Sequence, residues 1–68
     1  MIHNLFDLNN RYYLVTGAAG LLGRQHCEAI LSANGNPIAI DLDIKLLQEL
    51  KEKLYQIYKK DIQIFSCS

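Results

Sequence analysis

The chain carries no net charge: seven Lys and Arg are balanced by seven Asp and Glu over 68 residues. The two signs are intermixed, so no basic face advertises nucleic acid and no acidic tail is present. No apolar run approaches the roughly 20 residues that a membrane-crossing helix needs. The N-terminus, Met1 to Asp7, has neither a basic segment nor an apolar core, so it does not read as a secretory signal. A cytoplasmic setting is the default expectation. Cysteine is scarce: Cys27 and Cys67 form no CxxC pair and read as two reduced thiols. With His3 and His26 they make four soft ligands at irregular spacing, too dispersed for a zinc site. A GxxxxGK phosphate loop is also missing, as are repeats, low-complexity tracts and linkers.

What is present fits one small α/β unit. A chain of about 60 residues buries only about 60% of its unfolded surface, so a domain this size is marginal without help. After a polar lead-in over residues 1–11, Tyr12-Tyr13-Leu14-Val15 is rich in aromatic and β-branched types and predicts a strand. From Leu21 to Ala33 the apolar residues leave Arg24, Gln25 and Glu28 on another face, a helical pattern. Asn34-Gly35-Asn36 is a stop signal, with Gly35 expected at the left-handed position. Pro37 can start a strand but not sit inside one. Ile38-Ala39-Ile40 has no alternation, as expected of a strand covered on both faces.

Asp41 or Asp43 can cap the next helix. In it Ile44, Leu47, Leu50, Leu54, Ile57 and Tyr58 recur at helical steps. Ile62-Gln63-Ile64-Phe65 predicts a third strand. The β-α-β-α-β order argues for parallel strands joined by right-handed crossovers. The expected architecture is a Rossmann-like three-layer half with strands ordered 3-2-1, all 68 residues forming one partial domain.

The segment Thr16-Gly17-Ala18-Ala19-Gly20-Leu21-Leu22-Gly23 joins the first strand to the first helix through glycines spaced GxxGxxG. A tight strand-to-helix turn needs a residue tolerant of positive φ. Close approach of backbone to phosphate needs a missing side chain, and a helix start offers unpaired N–H groups to the anion. Gly17, Gly20, Leu21, Leu22 and Gly23 are therefore candidate pyrophosphate-binding positions. Asp41 follows Gly17 by 24 residues, near the roughly 20-residue spacing of a carboxylate that accepts from an adenosine ribose. A carboxylate there favours a free 2′-hydroxyl and repels a 2′-phosphate, which predicts NAD ahead of NADP. Arg24 pulls the other way, since a guanidinium near the turn can contact phosphate. The alternative is that the glycines serve only the turn and helix packing, with Asp41 a helix cap.

The run from Leu5-Phe6-Asp7-Leu8 through Asn10-Arg11 to Val15-Thr16-Gly17 resembles the opening of short-chain dehydrogenases/reductases, and the resemblance continues through Gly23 and Asp41-Leu42-Asp43. It implies an oxidoreductase that moves hydride between a nicotinamide cofactor and an alcohol or carbonyl carbon. It also implies that Thr16 is a structural turn residue and that Leu22 lies under the cofactor. The spacing TGxxGxxG departs from the family's commoner TGxxxGxG, which blurs the subfamily. Where the family places an Asp against adenine, this chain has Phe65-Ser66-Cys67.

The family's catalytic Ser, Tyr and Lys come well beyond the third strand, so no catalytic residue is expected in this chain, which alone should be inactive. The ending after a third strand suggests a polypeptide that continues past Ser68. Tyr55-Gln56-Ile57-Tyr58-Lys59 satisfies Tyr-x-x-x-Lys literally, but it falls on the helix between strands two and three, so Tyr55 reads as a flank and Lys59 as a solvated charge. His26 reads as a helix-surface residue. Expected partners are the dinucleotide cofactor and either a second copy or the remainder of the domain. In a three-stranded half-sheet the first strand keeps an unpaired edge, an association hazard. The competing reading is a non-catalytic nucleotide-binding or self-associating module.

Overall fold

In the computed structural model, which describes residues 8–67, strands and helices alternate as β1 (Tyr12–Thr16), α1 (Leu21–Ser32), β2 (Asn36–Asp41), α2 (Ile44–Tyr58) and β3 (Gln63–Ser66). Leu5-Phe6-Asp7 lies outside the described residues. Both strand pairings are parallel, with Leu14 opposite Ile38 and Ile40 opposite Phe65. The order across the sheet is β1-β2-β3, which is 3-2-1 counted from the other edge.

Both helices lie on one face of the sheet and touch through Glu28, Ser32 and Tyr58. Two successive right-handed crossovers running in one direction can only do this. Two layers are thus present among the described residues. Ile38-Ala39-Ile40, expected to be covered on both faces, is covered on one: Ala39 is buried beneath the helices while Ile38 and Ile40 are half-buried. The open face also carries Leu14, 69% exposed, and Phe65, 54% exposed.

The core joins Val15 and Ala39 of the sheet, Cys27 and Leu31 of α1, Leu47, Leu50 and Leu54 of α2, and Ile62 before β3. Full burial of a leucine such as Leu47 or Leu54 contributes about 1.5–3 kcal/mol. The stripe on α2 is narrower than its apolar residues suggest, because Ile44 and Ile57 are exposed. On α1 the buried side is Gly23, Cys27 and Leu31, and Leu21 and Leu22 are exposed.

Local chemistry sets the element ends, with two corrections to the sequence reading, at Gly35 and Pro37, and one choice between alternatives, at the α2 cap. The left-handed residue after α1 is Asn34 (φ 64°), not Gly35. The Asn34 N–H donates to the Leu31 carbonyl and the Gly35 N–H to the Ile30 carbonyl, closing the helix as a Schellman motif. Gly35 is needed for space, since a Cβ there would press on Ile30 and Leu8.

Pro37 lies inside β2, not ahead of it. The Asn36 N–H points to the Arg11 carbonyl on the β1 side, so the nitrogen of Pro37 faces the β3 side. β3 pairs only from Ile38 onward, so no ladder bond is lost there. The cap of α2 is Asp43, whose carboxylate accepts from the Lys45 and Leu46 N–H groups; Asp41 does not cap it.

Ahead of β1, the Arg11 N–H donates to the Leu8 carbonyl across Asn9 (φ 55°) and Asn10 (φ 60°). That is the geometry of a type I′ turn, and asparagine tolerates it better than most residues. The Asn36 amide group fixes this turn to the sheet by donating to the Asn10 carbonyl and side-chain oxygen, each at 2.8 Å.

Candidate functional site

The turn between β1 and α1 stands at the C-terminal end of the strands, beside the end of β2. Its three glycines are glycine for three different reasons. Gly17 has φ +64°, a conformation that side chains resist. Gly23 lies against the Gly17 carbonyl and Ala18 Cα, so a Cβ there would overlap backbone. Gly20 has an extended backbone (φ −79°, ψ 169°), and an added Cβ would meet only the Gly17 carbonyl oxygen at 3.4 Å, an ordinary contact. Neither conformation nor packing within the chain demands a glycine at position 20. Its exposed surface is open to an outside group.

The turn's own hydrogen bonds are few and specific. Ala18 N–H donates to the Ile40 carbonyl (3.1 Å) and Gly20 N–H to the Gly17 carbonyl (3.1 Å). The first α1 bond closes from Arg24 N–H to the Gly20 carbonyl (2.9 Å). The N–H groups of Leu21, Leu22 and Gly23 precede it and have no carbonyl four residues back within the helix. They form a donor set at the positive end of the helix dipole, the arrangement that receives an anion.

Asp41 ends β2 next to this turn. Its carboxylate accepts from the Asp43 N–H at 3.2 Å and from the Ala19 N–H at 3.0 Å. The backbone N–H of Asp43, with that of Ala19 beside it, holds the carboxyl below its ordinary range. Asp41 is half-exposed, so its oxygens keep lone pairs facing solvent.

Arg24 is drawn away from the turn. Its Nε donates to Glu28 Oε2 at 3.2 Å, one helical turn along. It borders an open groove whose charged lining is otherwise Glu49, Glu52 and Lys53 of α2, a mixture of signs with no net positive charge for phosphate. At the end of β3, Ser66 Oγ donates to the Leu42 carbonyl (3.1 Å) and Cys67 N–H to the Asp41 carbonyl (2.9 Å).

The structure brings Gly17, Gly20, Leu21, Leu22, Gly23 and Asp41 together around one turn. Ala19 belongs with them and was missed by sequence reasoning. Its contribution is a backbone N–H, which every residue but proline has, so no residue type announces it. Tyr55 and Lys59, four residues apart, do not lie on one continuous helix, because α2 stops at Tyr58 and Lys59 takes the left-handed conformation (φ 58°). They lie at the far end of α2 from the turn, and His26 is exposed on α1. Among the described residues no cluster of His, Cys, Asp and Glu suits a metal ion, and no helix is long and apolar enough to cross a membrane.

No family model and no curated protein matches the chain. A solved structure from Escherichia coli CFT073, a "putative short chain dehydrogenase", is similar over 90% of this chain with a TM-score of 0.85 and 23% identity. The fold is therefore the parallel, Rossmann-like α/β fold of that neighbour. The chain spans 27% of that neighbour's length.

Proposed function

We propose that this chain is the cofactor-binding segment of a short-chain dehydrogenase/reductase, and that the working protein moves hydride between a nicotinamide cofactor and an alcohol or carbonyl substrate. The observation that carries the reading is Gly20. Gly17 and Gly23 are required by the turn itself, but Gly20 is not. A residue without a side chain, beside unsatisfied amides and where the chain has no use for the space, suits the close approach of a ligand. The fold neighbour supports the family.

The residues fit a dinucleotide. The Leu21, Leu22 and Gly23 amides would take the pyrophosphate, and Gly17 and Gly20 would leave it room. Asp41 would accept from the adenosine ribose hydroxyls. Its retained negative charge and the diversion of Arg24 to Glu28 both favour NAD over NADP. When bound, the nicotinamide supplies the hydride acceptor or donor. The proton chemistry and substrate choice fall to residues outside this chain, whose own Tyr55 and Lys59 stand at the wrong end of α2.

The test is titration of NADH by fluorescence against the wild type and Gly20→Val. Saturable binding that Gly20→Val weakens more than tenfold, with circular dichroism unchanged, supports the reading. Absence of saturable binding to the wild type at millimolar NADH overturns it.

A second role rests on the open sheet face. Tyr12 and Leu14 on β1 and Phe65 on β3, the strand at the opposite edge, are exposed on it, and among the described residues β1 has no strand on its outer side. Such a surface is an association site. Further strands and helices of the same domain, or a second copy, would cover it.

A further inference from the structure

We infer that Asp41 is a positioning residue for the phosphate turn: beyond meeting a ribose, its carboxylate holds the turn in its anion-receiving shape by accepting the Ala19 N–H. This rests on the cofactor reading above for its purpose, but the lock itself is a property of the chain.

The argument begins with what Ala19 would otherwise do. It sits in the middle of the Gly17–Gly20 turn, 22 residues from Asp41 in sequence, and donates to Asp41 Oδ2 at 3.0 Å. Its neighbours on the turn are already committed, Ala18 N–H to the Ile40 carbonyl and Gly20 N–H to the Gly17 carbonyl. The Asp41 bond therefore sets the orientation of the peptide between Ala18 and Ala19, directly ahead of the donor set at Leu21, Leu22 and Gly23. Flipping that peptide would aim a carbonyl, with its negative end, where the Ala19 N–H now points.

Only a carboxylate satisfies both of its backbone partners. Asp41 Oδ1 accepts from the Asp43 N–H and Oδ2 from the Ala19 N–H, so both oxygens must be acceptors. An asparagine would turn its NH2 toward one of the two N–H groups, donor against donor. Among the described residues no Lys or Arg pairs with Asp41. Its charge is balanced by peptide donors of the turn and of the α2 entry, so one side chain fastens β2, the turn and α2 together. Its main-chain carbonyl adds the residue after β3 through the Cys67 N–H.

The consequence runs against simple electrostatics. If Asp41 acted on phosphate only through its charge, neutralising it would strengthen binding of a bare anion. If it holds the turn, neutralising it weakens that binding. The probe is inorganic pyrophosphate, which engages the turn and has no ribose. We expect Asp41→Asn to lower pyrophosphate affinity about ten- to a hundredfold, in line with the loss of one hydrogen bond to a charged group. An unchanged or raised affinity overturns the lock.

A second measurement needs no variant to fold. In the wild-type chain, the amide resonance of Ala19 should shift with pH together with that of Asp43, at one shared midpoint below the ordinary aspartate value of about 3.9. An Ala19 amide that stays still through the Asp41 titration overturns the lock. If the wild type binds neither pyrophosphate nor NADH, the cofactor reading fails. The lock is then decided by the Ala19 titration alone.

Discussion

Gly23, in the first turn of α1, packs directly against the carbonyl of Gly17, and a Cβ at position 23 would also lie 2.6 Å from Ala18 Cα. All the atoms it would strike are backbone, so no side chain can move aside. Gly23→Ala should therefore destabilise the fold by about 2–3 kcal/mol, the upper part of the range for overpacking. Gly20→Ala meets only an ordinary contact at 3.4 Å and should stay within about 0.5 kcal/mol of wild type. Urea midpoints of the two variants check the contrast. Equal losses would mean that Gly20 is glycine for packing, and would remove its value as a ligand marker.

How much of this was readable beforehand depends on whether residue type or position carries the information. The β-α-β-α-β order was legible because Tyr12–Val15 is rich in aromatic and β-branched types and Leu47, Leu50 and Leu54 recur at helical steps. The glycine turn and Asp41 were legible because glycine and aspartate do jobs there that few other residues can. The peptide lock from Ala19 was not, since a backbone donor has no signature in sequence. Nor was the end of α1: Asn34 and Gly35 are both tolerant of positive φ, and which one adopts it follows from where the helix stops, which residue type does not tell. The exposure of Ile57 escaped for a related reason. A helical period identifies a stripe, but its width is set by how far the sheet extends beneath it.

The two aspartates around the start of α2 should separate cleanly. Asp43 accepts from the Lys45 and Leu46 N–H groups, so Asp43→Ala should cost about 1 kcal/mol through loss of the cap. Nucleotide affinity should be nearly unchanged. Denaturation and NADH titration on the same sample check both halves. A large loss of affinity with little loss of stability would place Asp43, rather than Asp41, at the ribose.

The pH dependence has a definite sign. Asp41 is held below its ordinary value by the Asp43 and Ala19 N–H groups. A carboxylate whose folded value is depressed adds stability that is complete above its unfolded value of about 3.9 and is lost as pH falls through the folded value. The stability gap between wild type and Asp41→Asn should thus be open at pH 7 and close in acid. Urea midpoints across pH 7 to pH 2 test this, and a gap that widens in acid would contradict the assigned hydrogen bonds.

The two thiols should differ in reactivity. Cys27 is buried in the core, and burial, with the Glu28 charge a smaller cause, pushes its pKa up to about 11. Cys67 is exposed. Because the thiolate is the reacting species, iodoacetamide at pH 8 should modify Cys67 and spare Cys27 until denaturant is added. Mass spectrometry of the labelled peptides reads this directly. Rapid labelling of Cys27 in the native chain would mean that α1 opens from the sheet on the timescale of the reaction.

The open sheet face gives the last prediction. Leu14 stands on it opposite Ile38, and Phe65 opposite Ile40, so the apolar side chains run across all three strands. Water meets these side chains on the side away from α1 and α2, while among the described residues the edge of β1 has no strand to pair with. Hydrophobic area and open hydrogen bonds then coincide at Tyr12–Val15, the combination that draws strands together. Leu14 is 69% exposed, so Leu14→Lys should change stability by no more than about 0.5 kcal/mol. A charge at that position should instead oppose any contact that covers the face. Sedimentation velocity on wild type and Leu14→Lys separates the effects. Concentration-dependent association in the wild type that the variant abolishes would identify this face as the site of self-contact. A wild type that remains a cooperative monomer at high concentration would remove self-association as a role for the face.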